Sequence, residues 1–196
     1  MGRTLRLAAA TACLAAAMSP AKAHTLGIET FLGYGDIAYS GQVVYFDGAE
    51  SRSGQLIRAA GLQAVRYNIG GVRYFGLLDD TAAEALVYAD GELAERLAYN
   101  DDAIDTVAPQ LAFHTLVNLR PLGQESVNGV ETTHGVLTGF TRHGHPYAAD
   151  IWLAPEGAVI RLRGTVLGTP IRYDLYGYRP GPQDASAFTL GPQDRP

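Results

Sequence analysis

Ala64-Val65-Arg66-Tyr67-Asn68-Ile69-Gly70-Gly71-Val72 is the stretch from which the fold is read. Val65, Tyr67 and Ile69 alternate with Ala64, Arg66 and Asn68. A period of two is that of a strand with one face buried and the other in water. Gly70-Gly71 then offers two residues that accept positive φ, the requirement of a two-residue hairpin turn. Val72 to Leu78 continues as the returning strand.

The same grammar extends outward in both directions. Upstream, 36–47 is rich in Tyr, Val and Ile and ends on Asp47-Gly48, and 55–60 is set off from 64–69 by Gly61. Ala85 to Tyr88 reads as one more short strand before Asp90-Gly91. Downstream, Asn128-Gly129 is a turn, Thr132 to Phe140 a strand, and 142–146 a loop. Tyr147 to Leu153 and Val159 to Val166 flank the tight turn Ala154-Pro155-Glu156-Gly157. Ile160 and Leu162 alternate with Arg161 and Arg163, and Ile171, Tyr173 and Leu175 with Arg172, Asp174 and Tyr176. Successive hairpins of this kind build an antiparallel sheet.

Between the two strand blocks, roughly 92–120, lies the helical part of the chain. Ile104, Val107, Ala108 and Leu111 follow the spacing of one helical face, with Asp101 or Asp102 as a cap. Pro109 divides the segment into two short helices, and Pro121 is expected to end it. The fold class expected is mainly β (α+β): a single curved antiparallel sheet forming an unclosed half-barrel, with short helices covering the concave face.

At 196 residues, 47% hydrophobic and 18% charged, the chain has the composition of one globular domain. A net charge of −5 and a pI near 5.5 argue against a nucleic-acid partner. Residues 1–23 carry the marks of a signal peptide: Arg3 and Arg6, the apolar run Leu7–Ala17, and Ala21-Lys22-Ala23 as a small-x-small site. The expectation is export to the periplasm with cleavage after Ala23. An Ala-rich N-terminal helix is the bland reading of the same residues. Cys13, the only cysteine, lies inside this segment, and Ala10-Thr11-Ala12-Cys13 faintly resembles a lipoprotein processing site. Cleavage after Ala23 removes Arg3, Arg6 and Lys22 and no acid, so the charge of −5 becomes −8 and every remaining basic residue is Arg. Without cysteine, disulfides, thiolate metal sites and a cysteine nucleophile are excluded. The apolar run is too short to span a membrane.

Several landmarks fall in a familiar order: the signal peptide, Val65-Arg66-Tyr67, Gly123-Gln124-Glu125-Ser126-Val127-Asn128-Gly129-Val130, Ile151-Trp152-Leu153-Ala154-Pro155-Glu156-Gly157, and Ala187-Phe188-Thr189-Leu190. In these the chain resembles the LolA-like superfamily of outer-membrane lipoprotein carriers and LppX-like proteins, and within it an uncharacterised periplasmic group. The resemblance covers about residues 30–190. It implies an unclosed β-barrel under a helical lid, whose apolar inside holds acyl chains in the best-known members. On this reading the chain divides into a signal peptide (1–23), a LolA-like periplasmic domain (24–190) and a short tail (191–196). The function implied is binding or carriage of a lipid or a lipoprotein acyl chain, without catalytic chemistry. The alternative is a structural or sensory envelope accessory module with a filled core, acting through contacts with other envelope proteins. Transient contact with a membrane is compatible with either.

The strand alternation places Tyr67, Ile69, Ile160, Leu162, Tyr173 and Leu175 on the concave face, with Trp152 as a candidate cap at one end. Arg66 matches an arginine of the resembling group. It is either a solvated charge on the outside or a head-group contact at the mouth, and Arg161 and Arg163 raise the same question. No cofactor and no metal are expected. His143-Gly144-His145 has a metal-like spacing, but His134 and His114 lie too far along the chain for a converging set, and a solvated loop is the default. No Gly-x-Ser-x-Gly elbow exists, and Gly70-Gly71 precedes a strand rather than a helix, so neither serine catalysis nor a phosphate loop is supported.

Overall fold

The structure is a computed structural model that describes residues 24–26, 37–59, 61–98, 107, 117–140 and 144–196. Among the described residues, twelve strands form one antiparallel sheet. They are β1 (His24–Leu26), β2 (Tyr39–Phe46), β3 (Ser51–Ala59), β4 (Leu62–Ile69), β5 (Val72–Asp79), β6 (Glu84–Ala89), β7 (Glu92–Ala98), β8 (Val117–Val127), β9 (Val130–Phe140), β10 (Pro146–Leu153), β11 (Val159–Val166) and β12 (Thr169–Pro180). Their order across the sheet is β1-β8-β9-β10-β11-β12-β2-β3-β4-β5-β6-β7.

This order is two hairpin series joined at one long-range seam. β2 to β7 follow one another in space as in sequence, and so do β8 to β12. The seam pairs β12 with β2, with Tyr173 opposite Tyr45 and Leu175 opposite Val43. β1 and β7 stand at the two ends and do not meet, so the barrel is unclosed. Twelve strands about 4.8 Å apart would make a flat sheet more than ~50 Å wide with one bare apolar face. Twist and curl bury that face instead. The main core gathers Tyr39, Val43, Tyr45, Leu56, Val65, Leu78, Leu137, Ile151, Leu162 and Tyr173 from strands across the whole sheet.

The segment between the strand blocks is shorter than its sequence suggested. Residues 92–98 are β7, and β8 already starts at Val117. Pro121, expected to end the insert, lies within β8 at a register shift between Pro121 and Gly123. β1 pairs only with Val117, Asn118 and Leu119, so Pro121 sits where β8 is paired on one side alone among the described residues. There a missing N–H breaks no ladder bond. The two expected helices lie outside the described residues except for Val107. That residue is fully buried, and its carbonyl accepts a hydrogen bond of 3.0 Å from Gln63 Nε2.

The convex face of β4 is also covered, although alternation predicted it to be wet. Ile57, Ala64 and Phe75 form a second core with Phe188, and Leu62, Leu77, Tyr88 and Leu190 pack around it. The cover is the C-terminal segment, folded as two 3-10 turns, Ala185–Phe188 and Pro192–Asp194. The last six residues, read from sequence as a short tail, include the buried Asp194.

Candidate functional site

The residues predicted for the concave face separate into three environments. Ile160, Leu162, Tyr173 and Leu175 are at most 1% exposed, and Tyr67 is buried beside them in the main core. Leu162 lies opposite Ile151 on one side and Tyr173 on the other, so its neighbours are packed side chains. Ile69 reaches the end of β4 and is 37% exposed.

Trp152 and Arg66 lie elsewhere. Trp152 pairs with Arg161 while Ile151 pairs with Leu162, so the pleat directs Trp152 away from the Leu162 side. Its ring stacks on His134 at 4.4 Å and 4°, its Nε1 donates to Glu125 Oε1 at 2.6 Å, and the Arg161 guanidinium lies 5.7 Å from the ring centre. It is partly buried and also packs against the edge of the main core. Arg66 projects from the face of β4 opposite Tyr67. Its Nε donates to Asp194 Oδ1 at 2.9 Å, its other nitrogens reach the carbonyls of Ala187 and Thr189, and the guanidinium lies 4.4 Å from the Phe75 ring centre. It is neither a solvated charge nor a concave-face head-group contact; it holds the C-terminal segment.

Arg161 and Arg163 share a second carboxylate. Asp174 accepts from Arg161 Nε at 2.8 Å and from Arg163, and Asn128 Oδ1 accepts from Arg161 at 3.2 Å. The two cations allow Asp174, on the outward pleat, to be only 7% exposed. His134 stands between two acids, with Nε2 2.9 Å from Asp150 Oδ1 and Nδ1 3.3 Å from Glu125 Oε1. Among the described residues no three His, Asp or Glu side chains come together as a metal site. His114 and His143 lie outside the described residues.

One of several ligand-sized spaces among the described residues is a cleft of about 700 Å³ at the end of the sheet where β2 begins and β3 and β12 finish. Ile37, Ala38, Ala59, Pro180 and Pro182 supply apolar walls, and Glu156 and Gln183 the polar groups. Its volume lies within the roughly 300–1,000 Å³ of small-molecule sites. Tyr178 donates to Glu156 Oε2 at 3.2 Å, and its ring lies 5.6 Å from that of Tyr39, which links the carboxylate at the cleft to the core. Sequence reasoning missed this site, because its walls come from three chain segments with no shared periodicity. The Pro-Gly-Pro run at 180–182 was the one local signal.

No family profile matches the chain, and no curated protein does. Solved structures similar to it include the MucA/MucB complex of Pseudomonas aeruginosa, at 16% identity over 84% of this chain and 60% of that one, with a TM-score of 0.46. A second structure of MucB gives 18% identity over 84% and 62%, with a TM-score of 0.46. Lipoprotein LppX of Mycobacterium tuberculosis gives 14% identity over 71% of this chain and 85% of that one, with a TM-score of 0.40. The chain spans about three fifths of the length of the MucB chains it matches.

Proposed function

We propose that this chain is a periplasmic binding protein without catalytic chemistry, taking an apolar chain such as a lipid or a lipoprotein acyl group. The single observation that supports this is the cleft of about 700 Å³ walled by Ile37, Ala38, Ala59, Pro180 and Pro182. Apolar ligand surface entering it leaves water at about 25 cal/mol per Å². The ligand is placed at this end of the half-barrel, and Ile160, Leu162, Tyr173 and Leu175 serve as packed scaffold.

A second reading is favoured by the burial of those same four side chains. A concave face already filled by its own residues suits an envelope accessory module that acts through protein contacts.

Native mass spectrometry of the protein purified from the periplasm separates the two. A co-purifying lipid, displaced by a fluorescent fatty-acid probe, supports the carrier. Ala38→Trp fills the cleft and is expected to abolish probe binding in a folded protein. A clean apo mass with no affinity for acyl chains selects the accessory module.

A further inference from the structure

The cleft where β2 begins and β12 ends presents acceptors. Its polar side chains are those of Glu156 and Gln183, and no Lys, Arg or His is among its lining residues. The cations next in sequence to its walls, Arg58 and Arg179, do not line it, and Arg58 is turned to Asp80 Oδ2 at 2.8 Å.

The donors of the C-terminal wall are spent within the fold. Pro180 and Pro182 carry no N–H, and the Gly181 amide between them goes to the Ala38 carbonyl at 2.8 Å. Gln183 Nε2 donates to the Gly181 carbonyl at 2.7 Å, which leaves its Oε1 as an acceptor. Tyr178 gives its hydroxyl proton to Glu156 Oε2 at 3.2 Å. Burial, with the Glu156 charge adding to it, raises the Tyr178 pKa well above the ordinary tyrosine value, so the proton stays on the hydroxyl. Glu156 Oε1 is left without a partner among the described residues.

The carboxylate is also held in place. Glu156 stands in the turn 154–157, closed by the Gly157 amide on the Ala154 carbonyl at 2.8 Å and by the Ala154 amide on the Ala158 carbonyl at 2.9 Å. With Tyr178 behind it, this is a fixed negative charge beside apolar walls. A ligand carboxylate meets it as repulsion. An ammonium meets it with a charge-assisted hydrogen bond, about twice as strong as a neutral one.

We infer that the cleft takes an apolar chain ending in a primary ammonium, with Glu156 as its counter-ion and Gln183 Oε1 as a second acceptor. This rests on the ligand reading above and adds the head group to it. A fatty acid enters by its chain alone, against the Glu156 charge.

Calorimetric titration with dodecylamine, dodecanol and dodecanoate at neutral pH tests it, because the three share one chain and differ in the end group. The amine is expected to bind about ten-fold tighter than the alcohol, and the carboxylate more weakly than either. Glu156 is exposed on its turn, so Glu156→Gln should keep the melting temperature and retain an acceptor for Tyr178. It should leave dodecanol affinity unchanged and bring the amine down to it. This variant also separates Glu156 from the general attraction of an acidic chain for cations. Amine binding no tighter than that of the alcohol or the carboxylate overturns the inference and leaves the apolar ligand reading standing. An amine preference that survives Glu156→Gln does the same. Failure of all three compounds to bind overturns both.

Discussion

Arg66 and Asp194, 128 positions apart, form a two-pronged ion pair: Nε to Oδ1 at 2.9 Å and a second guanidinium nitrogen to Oδ2 at 3.3 Å. Asp194 also accepts the Gly191 amide at 2.9 Å, so one carboxylate closes the last 3-10 turn and ties it to β4. The Asp194 side chain is 3% exposed and that of Arg66 13%. Removing one partner of such a pair leaves the other charge buried without it, which costs about 3–5 kcal/mol. Asp194→Ala is therefore expected to lower stability by about 3 kcal/mol in urea denaturation and to open residues 184–195 to proteases. An unchanged midpoint together with unchanged protease resistance would show that Phe188 alone holds the segment.

Leu162 packs between Ile151 and Tyr173 with no route to water. Leu162→Arg should destabilise the domain by several kcal/mol and leave it largely unfolded, because a desolvated guanidinium finds no partner there. Circular dichroism with a thermal scan measures this. A variant that stays folded would show that the concave face opens and would return the ligand site to it.

Tyr173 is fully buried, and its hydroxyl has no hydrogen-bond partner among the described residues. Burial pushes its pKa well above the ordinary tyrosine value, with Tyr39, Tyr67 and Asp174 nearby adding to the shift. A buried hydroxyl without a partner costs about 1–3 kcal/mol of desolvation. Tyr173→Phe is expected to leave stability unchanged or raise it by about 1 kcal/mol, read from the denaturation midpoint. A loss of stability would reveal a partner for the hydroxyl.

Asp47 organises the β2–β3 turn. Its Oδ1 accepts from the amides of Ala49 at 3.1 Å and Glu50 at 3.0 Å, and its Oδ2 from Arg52 at 3.3 Å. Desolvation alone would raise its pKa, but the backbone amides and Arg52 together outweigh it and hold the pKa below 3.8. A carboxyl with a lowered folded pKa contributes stability above its unfolded value and loses that contribution as pH falls through the folded one. Asp47→Ala should thus cost about 1 kcal/mol at pH 7, and the difference from wild type should shrink as pH falls through the lowered folded pKa of Asp47. A difference independent of pH would assign the effect to turn geometry.

Local regularities determined most of the sheet. Tyr67 beside Arg66, Leu162 beside Arg163, and the pairs Gly70-Gly71 and Asn128-Gly129 declare strand, face and turn within a few residues. A period of two and a positive φ are properties of neighbours in the chain. What covers each face is a property of residues far apart, and only the tertiary structure decided it. Arg66 reads as a solvated cation until Asp194 is brought to it. Trp152 reads as part of the ligand face until register places it against His134 and Arg161. Pro121 reads as a stop until β8 is seen to be paired on one side there. The cleft joins Ala38, Ala59 and Pro180 only because β12 pairs with β2, a closure that no local pattern encodes.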